Sequence, residues 1–439
     1  MHSRSGEKYC IIGHMTNIID IKAREILASG GEPSLEVSVY LEDGSLGEAS
    51  VSYGASAGSK EAFVLFDEGD KNRYNGRGML IAKANVLEKI KPAVMGMDAM
   101  NLRAVDEKMI ALDGTDNKMS FGANAILAVS MATARAGANS KKVELYTHLR
   151  NLWNISGEIK LPKPMIVMIE GGKHADNSTD LQEFMVSAMG NKSAAENVRM
   201  EMEIYKALKS ILKAEGLSTN VGNEGAFAPN GIKSNEAPLE YFMKAVEKAG
   251  YKAGVDVGFS IDAAASELYN YELKNYELRI ENKTLTSAEM IEYLRPWTEK
   301  YPIVTMEDML SEFDWENWPK LVENFGDKIT IIADDLTVTN TKLWQKAIDV
   351  KAANAILIKL NQAGTVTETM DCCMLARQNN FATVPSHRGG GETNDTFLVD
   401  LAVAVGSAYI KVGPTRGERV CKYNRLMRIE EILNLPVTA

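Results

Sequence analysis

Ile303-Val-Thr-Met-Glu307 is the stretch whose reading decides the fold: a short apolar run that ends abruptly on a carboxylate. The pattern recurs five times in the second half of the chain. It reads Gly258-Phe-Ser-Ile-Asp262, Ile329-Thr-Ile-Ile-Ala-Asp334, Ala355-Ile-Leu-Ile-Lys359, Ala382-Thr-Val-Pro-Ser-His387 and Ala408-Tyr-Ile-Lys411. Buried parallel strands read as short apolar runs, and in a (β/α)8 barrel the residues at their C-terminal ends form the active site. As consecutive strands of one barrel, these runs would bring three carboxylates, two ammonium groups and an imidazole to one mouth. That set suits a hard metal ion and an anionic substrate.

Working outward, strand–helix alternation begins after the Gly- and Pro-containing segment Gly157 to Pro164 and persists to the end. Helices are expected at Ala194 to Ala214, Pro238 to Ala249, Ser287 to Lys300, Val366 to Gln378 and Arg416 to Leu433. The alternation predicts one parallel barrel over residues 155–439. Before it, Ile19-Asp-Ile, the alternating Leu35-Glu-Val-Ser-Val-Tyr-Leu41 and Ala49-Ser-Val51 read as strands. The Asp43-Gly44 turn between the last two is a hairpin signal. From Lys60 to Arg150 apolar residues fall at three- and four-residue spacing, as in helices. Residues 1–154 therefore read as an α+β domain, a three-stranded antiparallel sheet plus helices.

A chain of 439 residues fits two domains, and its net charge of −10 disfavours nucleic acid as a primary partner. Cys10, Cys372, Cys373 and Cys421 lack metal-site spacing and disulfide density, so reduced thiols are expected. The apolar stub at Ile11 and Ile12 is too short for a signal core. Phe121 to Ala138, interrupted by Asn124 and Arg135, reads as a packed helix rather than a membrane span. A cytoplasmic protein is the expectation.

Asp262, Glu307 and Asp334 offer only oxygen donors, which Mg²⁺ prefers. Any one of them alone would more simply cap a helix or pair with a base. Three in register on parallel strands strengthen the metal reading. Lys359 and Lys411 end apolar strands, as structural ion bridges or as a proton acceptor and its cationic neighbour. Two earlier turns carry further ionisable groups: Gly171-Gly-Lys-His174-Ala, followed by Gln182-Glu183, and Val221-Gly-Asn-Glu224-Gly. Glycine around an acid marks a turn that aims the side chain. The segment Tyr53-Gly-Ala-Ser56-Ala-Gly58-Ser-Lys60 fails the spacing of a phosphate-binding loop and reads as a lid hinged at Gly54 and Gly58.

Together these segments resemble the enolases, which interconvert 2-phosphoglycerate and phosphoenolpyruvate. The resemblance runs from Ile18 to Leu433. It rests on Ala23-Arg-Glu-Ile-Leu, Gly54-Ala-Ser, Asp113-Gly-Thr, Gly122-Ala-Asn-Ala-Ile-Leu, Gln182-Glu-Phe-Met, Met306-Glu-Asp, Ala333-Asp-Asp-Leu-Thr-Val-Thr-Asn and Arg428-Ile-Glu-Glu. It implies a C-terminal TIM-like barrel of enolase type capped by the N-terminal α+β domain.

The resemblance also implies roles. Asp262, Glu307 and Asp334 would hold a first Mg²⁺, and Ser56 would reach a second. Lys359 would be the base, Lys411 would meet the developing charge, and Glu224 would be the general acid. Glu183 and His174 would complete the acid's network. Gln182, His174, Glu183, Lys359, His387, Arg388, Gly389 and Lys411 would contact a phosphorylated carboxylate substrate. Arg24 and Glu418 match intersubunit positions of homodimeric relatives. Alternatives are a lyase or isomerase of this fold acting on another carboxylate, and a non-catalytic interaction protein. The chain departs from the family pattern near the chemistry: Gly389-Gly-Gly-Glu-Thr is one residue longer than the usual segment and lacks its serine. Tyr53 stands for a serine, Gly30 for an arginine, and Asn223, Ala226, Val167 and Glu170 for other residues.

Overall fold

A computed structural model describes residues 15–54 and 60–433. The chain opens with an antiparallel sheet of Ile18–Leu27, Pro33–Leu41 and Leu46–Ser50, in that order. The expected hairpin forms at Asp43-Gly44, where Gly44 takes φ +86° and its N–H donates to the Leu41 carbonyl at 3.0 Å. Positive φ is a conformation glycine adopts without penalty. The helix Ala123–Ser140 lies against this sheet, buried along nearly its whole length. A Cβ at Gly47 would fall 2.0 Å from the Ala132 carbonyl oxygen and 2.3 Å from the Ala136 nitrogen. Helix and sheet thus meet at backbone distance, which explains the alanine-rich run. Among the described residues no helix is long and apolar enough to cross a membrane.

The second half is an eight-stranded barrel. Its strands, first to eighth, are Lys163–Glu170, Glu183–Ala188, Val257–Asp262, Ile303–Glu307, Thr330–Ala333, Ala355–Ile358, Ala382–Pro385 and Tyr409–Val412. They lie side by side in chain order, with the eighth paired to the first. A parallel bridge of Ser386 with Lys411 brings the seventh and eighth together. Met165, Val167, Met185, Ala226, Ile332, Ala355, Leu357 and Val384 form an apolar cluster of their own, distinct from the larger core outside.

One expectation is corrected. The barrel is not wholly parallel, because the second strand runs antiparallel to the first and third. Between the first and second strands the chain has only the turn Gly172–His174, with no helix to carry a parallel crossover. Reversal has a consequence for the site. The second strand begins at the mouth where its neighbours end, so its first residue, Glu183, pairs with Glu170 on one side and Asp262 on the other. Asp262 in turn pairs with Glu307, and four carboxylates share one rim.

The expected helices occur at Ala194–Ala214, Ala237–Lys248, Ser287–Lys300, Val366–Gln378 and Gly417–Leu433. Ser287–Lys300 starts on a reciprocal cap, Thr286 N–H to the Glu289 carboxylate (2.8 Å) and Glu289 N–H to the Thr286 hydroxyl (3.3 Å). Cys372, Cys373 and Cys421 are free thiols, and Cys10 lies outside the described residues.

Candidate active site

The barrel mouth and the cap border one cleft. His174, Gln182, Glu183, Glu224, Asp262, Asp334, Lys359, His387, Arg388, Gly389 and Lys411 line it, all of them expected site residues. Glu307 is fully buried beneath Lys411. Ser56, with residues 55 and 57–59 of the expected lid, lies outside the described residues, while Tyr53, Gly54 and Lys60 of that segment are described.

One half of the cleft is organised by lysine. The Lys411 ammonium stands 2.9 Å from Glu183, 2.9 Å from Asp262 and 2.8 Å from Glu307. Burial opposes its charge, but Asp262, Glu183 and Glu307 together hold Lys411 far above the ordinary lysine range. The Lys359 ammonium bonds Asp334, whose other oxygen accepts from Gln362 at 2.9 Å. Burial again works against the cation, but Asp334, helped by Glu307, leaves Lys359 raised rather than lowered. Proton affinity at Lys359 is therefore set by how much of Asp334 it keeps.

The other half is organised by imidazole. His174 Nδ1 lies 3.2 Å from Glu183 and 3.5 Å from Glu224, and His387 Nε2 lies 3.3 Å from Glu224. These contacts are not well aligned: His174 Nδ1, both His387 nitrogens and Glu224 Oε2 make no geometrically good hydrogen bond among the described residues. Charge and close polar contact couple them. Burial lowers His174, but Glu224 and Glu183 bring it up to about 9. Burial raises Glu224, yet His387 and His174 hold it well below the usual carboxylate range. At neutral pH the proton of this unit resides on His174.

Reading the sequence missed the groups that hold these acids in place. Buried Glu170 accepts the N–H of Glu224 (3.2 Å) and of Ala226 (3.0 Å), clamping the turn that carries Glu224. Asp308 does the same for the next acidic pair, accepting Asp334 N–H (3.0 Å) and Asp335 N–H (2.8 Å). Met306-Glu-Asp308 and Asp334-Asp335 were visible as motifs, so the signal was adjacency to a strand-end acid. Glu61, also unforeseen, lines the cleft and meets the Arg388 guanidinium at 3.2–3.3 Å. An anion approaching Arg388 has to share it with Glu61.

Asp262, Glu307 and Asp334 do not form a single group of ligand atoms within 4.8 Å of one another. Two other sets among the described residues do: His174, Glu183 and Glu224, and Asp308, Asp334 and Asp335. Lys411 bridges Asp262 and Glu307, and Lys359 engages Asp334. The donor chemistry nevertheless fits Mg²⁺: every candidate at the third, fourth and fifth strand ends is a buried carboxylate. Burial, and then Asp262, push Glu307 far above its ordinary range, the mark of negative charge in excess of its compensation. A divalent cation would supply that deficit.

A capped barrel whose mouth sets lysines and carboxylates against an imidazole–carboxylate unit is a site equipped for proton transfer. The model of the enolase C-terminal TIM barrel domain matches residues 158–437, and that of the enolase N-terminal domain matches residues 18–149. The chain belongs to the enolase family.

Proposed function

We propose that the protein reversibly dehydrates 2-phospho-D-glycerate to phosphoenolpyruvate in glycolysis and gluconeogenesis. One observation carries this reading: Glu183 touches Lys411 at 2.9 Å and His174 at 3.2 Å, so the lysine and imidazole halves meet across one cleft. A substrate lying between them has a base on one side and an acid on the other.

Lys359, once it has yielded Asp334 and released its own proton to solvent, is a neutral amine and takes the proton from the carbon beside the substrate carboxylate. Lys411 stands by the negative charge that develops there. The C3–oxygen bond then breaks, and the hydroxyl leaves as water with a proton that passes from His174 through Glu224. Asp262, Glu307 and Asp334 are the residues that would hold Mg²⁺, with Ser56 reaching a second ion. Bound there, the metal supplies positive charge that competes with Lys359 for Asp334 and stabilises the ionised substrate carboxylate. Arg388, Gln182, His387 and Gly389 contact the substrate's phosphate side. We also propose a cytoplasmic homodimer, divided near residue 154 into cap and barrel. Arg24, which pairs with Glu36 at 3.1 Å on an exposed strand, and Glu418 would lie at its interface.

The Arg388–Glu61 pair favours a second reading, a carboxylate substrate without phosphate. The test is direct: mix purified protein, Mg²⁺ and 2-phosphoglycerate and follow phosphoenolpyruvate by absorbance. Turnover is expected, with a loss of about 10²–10⁴-fold in Lys359→Ala. No turnover, with Mg²⁺ still bound, supports the second reading, and activity surviving in Lys359→Ala sinks the assigned base.

A further inference from the structure

The loop after His387 is gripped from two sides, and its glycines mark where. A Cβ at Gly389 would lie 2.6 Å from Glu224 Oε1 and 2.8 Å from His174 Nε2, so the loop backbone rests directly on the imidazole half of the site. A Cβ at Gly391 would fall 2.1 Å from the ring of Tyr53, in the cap. Tyr53 and Gly391 also form an antiparallel bridge, Tyr53 N–H to Gly391 O at 3.1 Å and Gly391 N–H to Tyr53 O at 2.8 Å. Between them, the Gly390 carbonyl accepts the Ser29 hydroxyl at 3.0 Å, and Gly30 approaches that carbonyl so closely that a Cβ would touch it at 3.4 Å.

Tyr53 is itself fixed. It is 3% exposed, packs edge-on against Phe66, and donates its hydroxyl to Glu32 at 3.3 Å. Glu32 is held by Arg77 at 2.7 Å, and the Arg77 guanidinium lies 3.9 Å from the Phe66 ring centroid. The departures at Tyr53, Gly30 and the lengthened glycine segment are thus one packing unit: the ring occupies space that a side chain at 391 would need, and a Cβ at 30 would lie 3.9 Å from the Tyr53 hydroxyl.

We propose that Tyr53 is a positioning residue which, through Gly391, sets the Arg388–Gly389 segment against the cleft and so tunes affinity for the substrate's anionic end. This rests on the phosphorylated-substrate reading above. Tyr53 touches neither Lys359 nor Glu224, so it acts on binding rather than on the chemical step.

The test is a cycle of Tyr53→Ala, Gly391→Ala and their combination, with Tyr53→Phe as the conservative variant; urea unfolding certifies that each is folded. Three quantities are read: amide exchange in the peptide spanning residues 386–392, the Kd for inorganic phosphate with Mg²⁺, and KM against kcat for 2-phosphoglycerate. Tyr53→Ala should speed loop exchange by about tenfold or more and raise KM and phosphate Kd by a similar factor, with kcat within about threefold. Gly391→Ala should do the same in the natural background and add nothing to Tyr53→Ala, because the ring it strikes is gone. Tyr53→Phe should behave like the natural protein.

Faster exchange without a change in KM or Kd makes the contact merely structural and overturns the proposal, as does unchanged exchange or additive effects in the double variant. Should either alanine variant fail to fold, the remaining one is compared with Tyr53→Phe, and failure of both overturns the proposal. If the natural protein does not turn over 2-phosphoglycerate, the reaction assigned above fails by itself. Phosphate Kd and exchange then decide: a coupled rise in both upholds the positioning role, and unchanged or absent phosphate binding ends it.

Discussion

The lysine half and the imidazole half of the cleft hold similar numbers of buried ionisable groups in opposite ways. Around Lys411, carboxylates from three strands close on one ammonium with aligned contacts of 2.8–2.9 Å to Asp262 and Glu307. Around Glu224, imidazoles approach to 3.3–3.5 Å without a well-aligned hydrogen bond between them. Strands supply the first set and loops most of the second. Ladder-fixed groups reach full ion pairing, at the cost of rigidity. Loop-borne groups are left with polar atoms to offer, which suits a region that must exchange a proton and admit a substrate.

The sharpest way to break the contrast is to remove its central cation. Lys411→Met leaves Glu183, Asp262 and Glu307 facing one another while buried. Breaking such a cluster costs about 3–5 kcal/mol. Thermal unfolding at pH 8 without metal should fall accordingly, and added Mg²⁺ should recover more stability in the variant than in the natural protein. An unchanged melting temperature would mean that the lysine half is not held by charge. Activity should fall by about 10²-fold or more.

On the imidazole side the clamp Glu170 offers a gentler probe. Burial, then the Glu224 charge, raise Glu170 to about 8. Its carboxyl is therefore protonated when folded over a range where the unfolded chain has released the proton, and stability drains away as pH rises from about 4.5 to 8. Glu170→Gln keeps an acceptor for the Glu224 and Ala226 N–H groups and has nothing to ionise. It should gain on the order of 2–4 kcal/mol over the natural protein at pH 8 and little at pH 4, read from urea midpoints. Equal effects at both pH values would refute the assignment.

The lysine half was legible in the sequence because its information is local. Each run such as Ile303-Val-Thr-Met-Glu307 carries both its strand and the group at its end, and Asp262, Glu307, Lys359 and Lys411 reach the mouth by strand geometry alone. The reversed second strand was not legible: Glu183–Ala188 is as apolar as its neighbours, and direction depends on the connection before it, not on the run. The same holds for Glu170 and Asp308, whose partners are main-chain N–H groups of other segments and leave no pattern of their own. The loop after Arg388 read as one residue longer and without its serine. Its bridge to Tyr53 spans some 340 positions of chain, a pairing that only the folded backbone brings together.

Two lone groups away from the cleft show what burial does without either arrangement. His148, behind the helix Ala123–Ser140, has an Nε2 with no hydrogen bond among the described residues, and burial lowers it to about 4. The unfolded chain takes up that proton first, so acidification from pH 6.5 to 4 should cost up to about 3 kcal/mol. His148→Met should remove that part of the slope, and an unchanged slope would show that the ring is not the group titrating.

Glu201, on the helix Ala194–Ala214, is the mirror case and the smallest effect. It is fully buried, neither carboxylate oxygen makes a well-aligned hydrogen bond among the described residues, and only the Ala188 main chain works against burial. Burial raises it well above the carboxylate range, so the folded protein keeps its proton while the unfolded chain loses it above about pH 4.5. Stability at this site therefore falls as pH rises, opposite to His148. Glu201→Met removes both the ionisation and the unmade hydrogen bonds. It should stabilise the protein by about 1–3 kcal/mol at pH 8 and by less at pH 4. Destabilisation at pH 8 would mean that the carboxyl is serving a partner, and that burial without compensation is not what sets this acid apart from the paired carboxylates of the cleft.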